Sequence, residues 1–221
     1  MDWDLSAITD SWRFLLGGIG VTLMLSGLTV VSSLLAGTAA GLGRCYGGRW
    51  LQVGLTFYVD SMRAVPVLVV LVWMYFAFPL LTGISVPPFW SAWIALTLHV
   101  AAYVAEIVRA GVNSVRPGQV RAALALGMSR PQLVGKVVLP QALVRMLPAI
   151  GSVISVTIKD TAIAATIAVP EFMNRVSTVA GESYQPVPVF TGALIVYFII
   201  LFPTTRLVDI VYGRVAHLGR S

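Results

Sequence analysis

Three long stretches of this chain carry no aspartate, glutamate, lysine or arginine, and they limit its fold more than any other feature. They cover residues 14–43, 64–105 and 183–205. A membrane-spanning helix needs roughly 20 mostly apolar residues, so the first and third stretches each fit one helix. The second stretch, of about 42 residues, fits two helices. Residues 82–88 are rich in glycine, proline and serine and predict the turn between those two.

A fourth apolar region runs from 146 to 169 and is interrupted only by Lys159 and Asp160. Hydrophobic residues make up 57% of the chain and charged residues 11%, with a mean hydropathy of +0.87. These values argue against a soluble globular protein and exclude a disordered one. We therefore predict an all-α integral membrane protein. Its five helices are expected at about 13–42, 64–81, 89–112, 147–169 and 187–212.

Basic residues collect on one side of the predicted membrane. They follow helix one and helix five and fill the segment 114–145 between helices three and four. The positive-inside rule places this side in the cytoplasm, whereas the acidic start, with Asp2, Asp4 and Asp10, is expected outside. This N-out, C-in orientation explains most of the net charge of +6 without nucleic acid. Arg220 belongs to the same cytoplasmic group.

The segment 114–145 is too polar to span a membrane and too patterned for a flexible linker. Pro117 suits a first helical turn, and Gly127 is placed to end the helix that follows. Residues 129–132 form a capping box that opens a second helix, which we expect Leu139 and Pro140 to stop. Such a structured, basic element predicts either docking to a cytoplasmic partner or an interfacial helix pair on anionic headgroups.

Lys159 and Asp160 fall near the middle of the fourth predicted helix. An ionisable residue at that depth is costly and is usually functional or paired. Neighbouring residues of a helix point about 100° apart, so the two are not expected to pair with each other. They either face the transport pathway or form ion pairs between helices. Two other pairs at i,i+3 spacing, Asp60–Arg63 and Glu106–Arg109, are predicted to be structural.

The order of motifs along nearly the whole chain resembles the permease subunits of ABC importers for polar amino acids. The sequence Arg121-Ala122-Ala123, then Gly127, Val137 and Leu139-Pro140, is similar to the EAA-loop signature of these permeases. Further matches are 63–66, 102–111, 117–119, 123–128, 139–142 and 159–161. Residues 176–182 resemble the outer segment of the glutamate/aspartate type.

The resemblance implies a single permease domain over 1–221, of the type I importer fold, with a coupling loop at about 114–145. Matching positions of the loop should contact the ATPase; these are Gln119, Arg121, Ala122, Ala123, Gly127 and Pro140. Arg121 stands where the family has its glutamate, and Ala162 replaces an expected serine. In the substrate site, Lys159 is expected to meet the substrate carboxylate, and Asp160 or Thr161 its amino group.

The resemblance also implies partners in a bacterial inner membrane. These are two ATP-binding cassette subunits, a second permease chain that is identical or homologous, an extracytoplasmic solute-binding protein and membrane lipid. The chain has no phosphate-binding loop of the Gly-x-x-x-x-Gly-Lys-Ser/Thr kind, so ATP and Mg are expected on the partner ATPase and no enzyme activity here. We predict no bound cofactor and no metal site. The alternative is an ion-coupled secondary transporter of small polar solutes.

Overall fold

The computed structural model describes residues 5–215, apart from the side chains of 209, 211 and 215. Within this range the regular structure is entirely helical. Asp2, Asp4 and Arg220, on which part of the predicted orientation depends, lie outside the described residues. The helices are α1 (Ser6–Asp10), α2 (Trp12–Tyr46), α3 (Arg49–Ala64), α4 (Val67–Thr82), α5 (Pro88–Asn113), α6 (Pro117–Ala125), α7 (Arg130–Ile167), α8 (Phe172–Ser183) and α9 (Pro186–Val215).

Helices α2, α5, α7 and α9 are each long and apolar enough to cross a membrane. Counting α3 and α4, which meet at an angle of 106°, as one broken span gives five, in agreement with the predicted all-α fold of five membrane helices. The helix breaks at Val65 because the residue before a proline disfavours the helical conformation. Between α4 and α5, Gly83 adopts a φ of +73°, in agreement with the predicted turn. Helix α3 itself was not predicted.

The prediction that Leu139 and Pro140 stop the second loop helix is wrong. Helix α7 begins at Arg130 and continues through this proline into the membrane span. A π-helical turn over Val134–Val138 makes this possible, since the Leu139 N–H donates to the carbonyl of Val134, five residues back. The wider turn relieves the clash between the proline ring and the preceding turn, where the proline also lacks a donor.

By internal packing, the chain divides into two units, and each has its own core. The first comprises the described residues of Met1–Ser32, Val65–His99 and Ser155–Thr204. Its centre is a cluster of buried apolar side chains from α2, α4, α5 and the end of α7. The largest members that are fully buried are Leu25, Leu71, Leu96 and Ile167.

The second unit comprises the described residues of Ser33–Ala64, Val100–Ile154 and Thr205–Ser221. Here α2 lies directly against α5. A Cβ atom added at Gly37 would stand 2.5 Å from Cβ of Val104, and one added at Gly41 would stand 2.6 Å from Cβ of Val108. Small residues thus permit close helix contact at these two positions, as expected for helices in lipid.

Candidate functional site

Lys159 and Asp160 lie where the α-helical part of α7 ends. The α-helix runs from Leu139 to Asp160, and a tighter 3-10 helix follows over Thr161–Ile167. The Lys159 side chain is exposed and Asp160 is partly buried. Within the described residues, neither side chain has a hydrogen-bond partner or an ion pair within 4 Å. Two neighbouring groups of opposite charge, neither in an ion pair among the described residues, therefore sit at a helix break.

Thr161 occupies a different environment from its two neighbours. Its side chain is fully buried, and its hydroxyl donates to the carbonyl of Ile158 at 2.7 Å. This bond holds the Thr161 side chain against the last turn of the α-helix, which ends at Asp160. The structure therefore separates Thr161 from the exposed Lys159, although the three residues are consecutive.

The segment after the break is held firmly in the first unit. Ala164, Ile167 and Val169 are buried in its apolar cluster. Ala168 adopts a left-handed φ of +60°, a conformation that costs about 1 kcal/mol or more for a residue with a Cβ atom. The packed neighbours hold this turn, which directs the chain towards helix α8.

Glu171 is the N-cap of α8 and forms a buried polar contact that was not predicted from the sequence. Its carboxylate accepts a hydrogen bond from the Asn174 N–H at 2.7 Å and from the Thr22 hydroxyl at 3.1 Å. The Thr22 oxygen in turn accepts from the Phe172 N–H at 3.0 Å. The sequence contains a signal for this contact, because an acidic residue at a helix N-cap is followed by apolar residues at helical spacing. Those apolar residues are Phe172, Val176, Val179 and Ala180.

Arg175 adds a second connection between α8 and α2. Its guanidinium donates to the carbonyl of Phe14 at 2.6 Å and to the carbonyl of Pro170 at 3.0 Å. It also lies over the Phe14 ring, 4.7 Å from the ring centroid, in a cation–π contact. Together with the Thr22–Glu171 bond, these contacts fix α8 on α2.

Burial raises the pKa of Glu171 above its ordinary value of 4.5, although hydrogen bonds from Met173, Asn174 and Thr22 oppose the shift. The folded carboxyl therefore keeps its proton at pH values where the unfolded one has lost it. Stability from this group is consequently lost as the pH rises from 4.5 through the raised pKa. Glu171→Gln is expected to flatten this part of the stability profile, because the amide does not titrate.

Thermal unfolding of the purified protein in detergent, followed across that pH interval, measures the effect. Glu182→Gln is the matched control, since it makes the same change at an exposed position of the same helix. Equal pH slopes for wild type and Glu171→Gln would mean that Glu171 does not carry the dependence.

Helix α6 and the start of α7 form the predicted loop element. Gly127 ends α6 with a φ of +77°, and the Ser129 N–H donates to Gln132 Oε1 at 3.0 Å in the predicted capping box. A residue with a Cβ atom would be strained at this glycine. The predicted end of α6 and the predicted start of α7 are confirmed. However, α7 continues into a membrane span, whereas a short loop helix was predicted.

The loop element has a buried side and an exposed side. Ala123 of α6 packs with Leu133 and Val138 of α7 in an apolar cluster of the second unit. At the base of the element, Arg145 donates to the carbonyl of Ser114.

The residues of the loop element that are expected to contact the ATPase are distributed between its buried and exposed sides. Ala123 is buried and Gln119 is partly buried. Arg121, Ala122, Gly127 and Pro140 are exposed. Two apolar side chains, Leu124 and Leu126, are also exposed. The exposed side of the loop element therefore presents both a charged group and apolar surface.

Glu106 is the centre of an arginine cluster in the second unit. Arg109 donates to both carboxylate oxygens, at 2.5 and 3.1 Å, which confirms the predicted i,i+3 pair. Arg44 donates to the same carboxylate at 2.7 Å. The predicted Asp60–Arg63 pair is wrong, because Arg63 points to Glu106, at 3.8 Å. The i,i+3 spacing of Asp60 and Arg63 describes a single helix, so it could not predict that a carboxylate of a different helix would lie near Arg63.

A metal centre finds no support in the part of the chain that the structure describes. No group of three or more histidine, cysteine, aspartate or glutamate side chains lies close enough there to hold an ion.

Comparisons with known proteins agree with this architecture. Residues 14–217 match the family described as the binding-protein-dependent transport system inner membrane component. The glutamine transport system permease protein GlnP of Escherichia coli K12 is 34% identical, covering 90% of this chain and 92% of its own. The glutamate/aspartate import permease protein GltK of Escherichia coli O6:H1 is 32% identical, covering 97% and 99%.

A solved structure of an amino acid ABC transporter with histidines is also similar. It has a TM-score of 0.91 and 28% identity, and the match covers 97% of this chain and 100% of that one. The five spans, the loop element and the sequence relatives lead to the same conclusion. The chain belongs to the binding-protein-dependent inner membrane components and is an amino acid ABC importer permease subunit.

Proposed function

We propose that this permease carries a polar amino acid past Lys159 and Asp160, with the substrate carboxylate on Lys159 and the ammonium group on Asp160. The observation behind the proposal is that two opposite charges lie in a membrane span without an ion pair among the described residues. An unpaired charge at membrane depth is costly. A zwitterionic amino acid supplies a partner for each charge at once.

The helix break next to these residues supports the same proposal. Interrupted helices place backbone dipoles and side chains at the substrate sites of other transporters. Thr161 is buried and bonded to Ile158, so we assign the ammonium group to Asp160 alone. Thr161 then acts as a positioning residue that holds the end of the α-helix.

The proposed contacts use only groups that all amino acids share. Relatives named for glutamine and for glutamate/aspartate transport differ in the substrate side chain but not in these groups. We therefore propose a polar amino acid, with glutamate or aspartate as a candidate from the resemblance of residues 176–182. Specificity for the side chain must come from residues other than Lys159 and Asp160.

We further propose that the exposed side of α6 docks into a cleft of the ATPase subunit. The segment 114–145 has five basic residues and no acidic one, so this cleft should present acidic groups. Arg121 is exposed on α6, and Leu124 and Leu126 beside it supply apolar contacts. Arg121 stands where the family has its glutamate, so it would pair with acidic groups of the cleft where the glutamate would pair with basic ones.

In the assembled transporter, two such ATPase subunits bind and hydrolyse ATP with Mg, while this chain catalyses no reaction. A second permease chain, identical or homologous, completes the pathway. An extracytoplasmic binding protein delivers the substrate to the side that carries α8. The basic segments at Arg44 and at 114–145 support the N-out, C-in orientation.

Co-purification from native membranes in mild detergent tests this assignment. Wild type should bring down an ATPase subunit in stoichiometric amount. Arg121→Glu should reduce that amount several-fold, because like charges would then face each other in the cleft. Lys136→Glu is the control, since it reverses the charge of an exposed residue in the same basic segment but outside α6.

The outcomes separate importer from secondary transporter. A stable chain that purifies without any ATPase would contradict the importer assembly and favour an ion-coupled transporter. An ATPase retained equally by wild type, Arg121→Glu and Lys136→Glu would leave the assembly intact but refute the acidic cleft.

A further inference from the structure

We propose that the arginine cluster around Glu106 binds the phosphate of an anionic phospholipid at the membrane surface. The cluster consists of Arg44, Arg63, Arg109 and Glu106, all in the second unit. Three guanidinium groups lie within 4 Å of one carboxylate. Three positive charges against one negative charge leave an excess of two.

The nearest further acidic residue does not neutralise this excess. Asp60 is exposed and acts on Arg109 only through the longer-range electrostatic field. It forms no ion pair within 4 Å in the described part of the chain. Even with Asp60 counted, one positive charge remains without a counter-charge.

The arginines of the cluster have different roles. Arg44 is 8% exposed and bonds to Glu106 and to the Thr56 hydroxyl, so its donors are directed inwards. Arg63 and Arg109 are each 39% exposed. Arg63 makes no hydrogen bond among the described residues, and its guanidinium lies over the Tyr103 ring. A planar guanidinium with free donors suits two-point binding of a phosphate.

A lipid is favoured over a soluble phosphate because apolar surface adjoins the charge. Helix α3, which carries Arg63, exposes Trp50 to 87% and Phe57 to 76%. Exposed aromatic side chains on an amphipathic helix are typical of the membrane interface. Acyl chains would cover this apolar face while the headgroup phosphate meets Arg63 and Arg109, so one ligand satisfies both features.

Lipid titration of the detergent-purified complex, read by native mass spectrometry, tests the proposal. Dioleoylphosphatidylglycerol and dioleoylphosphatidylcholine have the same acyl chains but differ in net charge. The anionic lipid should bind wild type several-fold more tightly. Arg63→Gln should lower its binding to the level of the zwitterionic lipid, and Arg63→Lys should retain part of it through charge alone.

Arg49→Gln is the matched control, because it removes an exposed arginine from the same helix without touching Glu106. The proposal is refuted if Arg49→Gln and Arg63→Gln weaken binding equally, since the effect would then be general surface charge. It is also refuted if both lipids bind wild type alike.

Displacement of the anionic lipid by equimolar inorganic phosphate would identify a free-anion site instead. Loss of the second permease chain in Arg63→Gln, with lipid binding unchanged, would assign the cluster to a protein interface.

Discussion

Replacing Lys159 by methionine is expected to lower substrate-stimulated ATP hydrolysis by the assembled transporter by about ten- to hundredfold. A hydrogen bond to a charged group contributes about 1.5–3 kcal/mol, and each 1.4 kcal/mol changes an equilibrium tenfold. Methionine keeps the length of the side chain but loses the ammonium charge that we assign to the substrate carboxylate. The Asp160 carboxylate would then lack its neighbouring positive charge and bind the ammonium group alone.

The measurement is ATPase activity of the complex in proteoliposomes, with and without the substrate-loaded binding protein. Lys136→Met is the control, because it removes the same charge from an exposed position of the same helix. Basal hydrolysis should stay unchanged in both variants, since neither residue contacts the nucleotide. Stimulation of Lys159→Met equal to that of the control would remove Lys159 from the site.

Gly127→Pro is expected to uncouple the ATPase from transport while leaving the membrane spans folded. Proline fixes φ near −65°, whereas Gly127 has a φ of +77°. The change also removes the N–H that donates to the carbonyl of Leu124 at 3.0 Å. The turn between α6 and α7 must therefore reorganise, and α6 loses its fixed position for docking.

Transport and ATPase binding by this variant should each fall by at least about tenfold, since a mismatched proline costs about 3 kcal/mol or more. Gly118→Ala provides the control: this glycine lies in α6, has an ordinary φ and has open space around it. Circular dichroism and detergent stability verify that the spans remain. Full transport by Gly127→Pro would exclude the fixed turn as the coupling element.

Much of the fold could be predicted because lipid imposes a simple rule on sequence. Backbone groups must be paired within each segment, so an uncharged stretch of sufficient length becomes a helix. The turn at Gly83 and the end of α6 at Gly127 were predictable for a similar reason, since a positive φ favours glycine. Pro140 was misinterpreted because a π turn accommodates a proline that would otherwise end a helix.

The charges were harder to assign than the helices. Spacing correctly paired Glu106 with Arg109, which lie on one face of one helix. It failed for Arg63, whose guanidinium lies 3.8 Å from the carboxylate of Glu106 on another helix. It likewise did not detect that Glu171 would be fully buried against Thr22, because these residues are 149 positions apart.

The sequence by itself determined the membrane class, the five spans, the loop element and the family resemblance, because each depends on local composition or on motif order. Only the tertiary structure decided which charges are paired. It placed three arginines around Glu106, fixed α8 to α2 through Glu171, and left Lys159 and Asp160 without ion pairs among the described residues. Partners of a charged group are set by distance in space, and no periodicity along the chain encodes that distance.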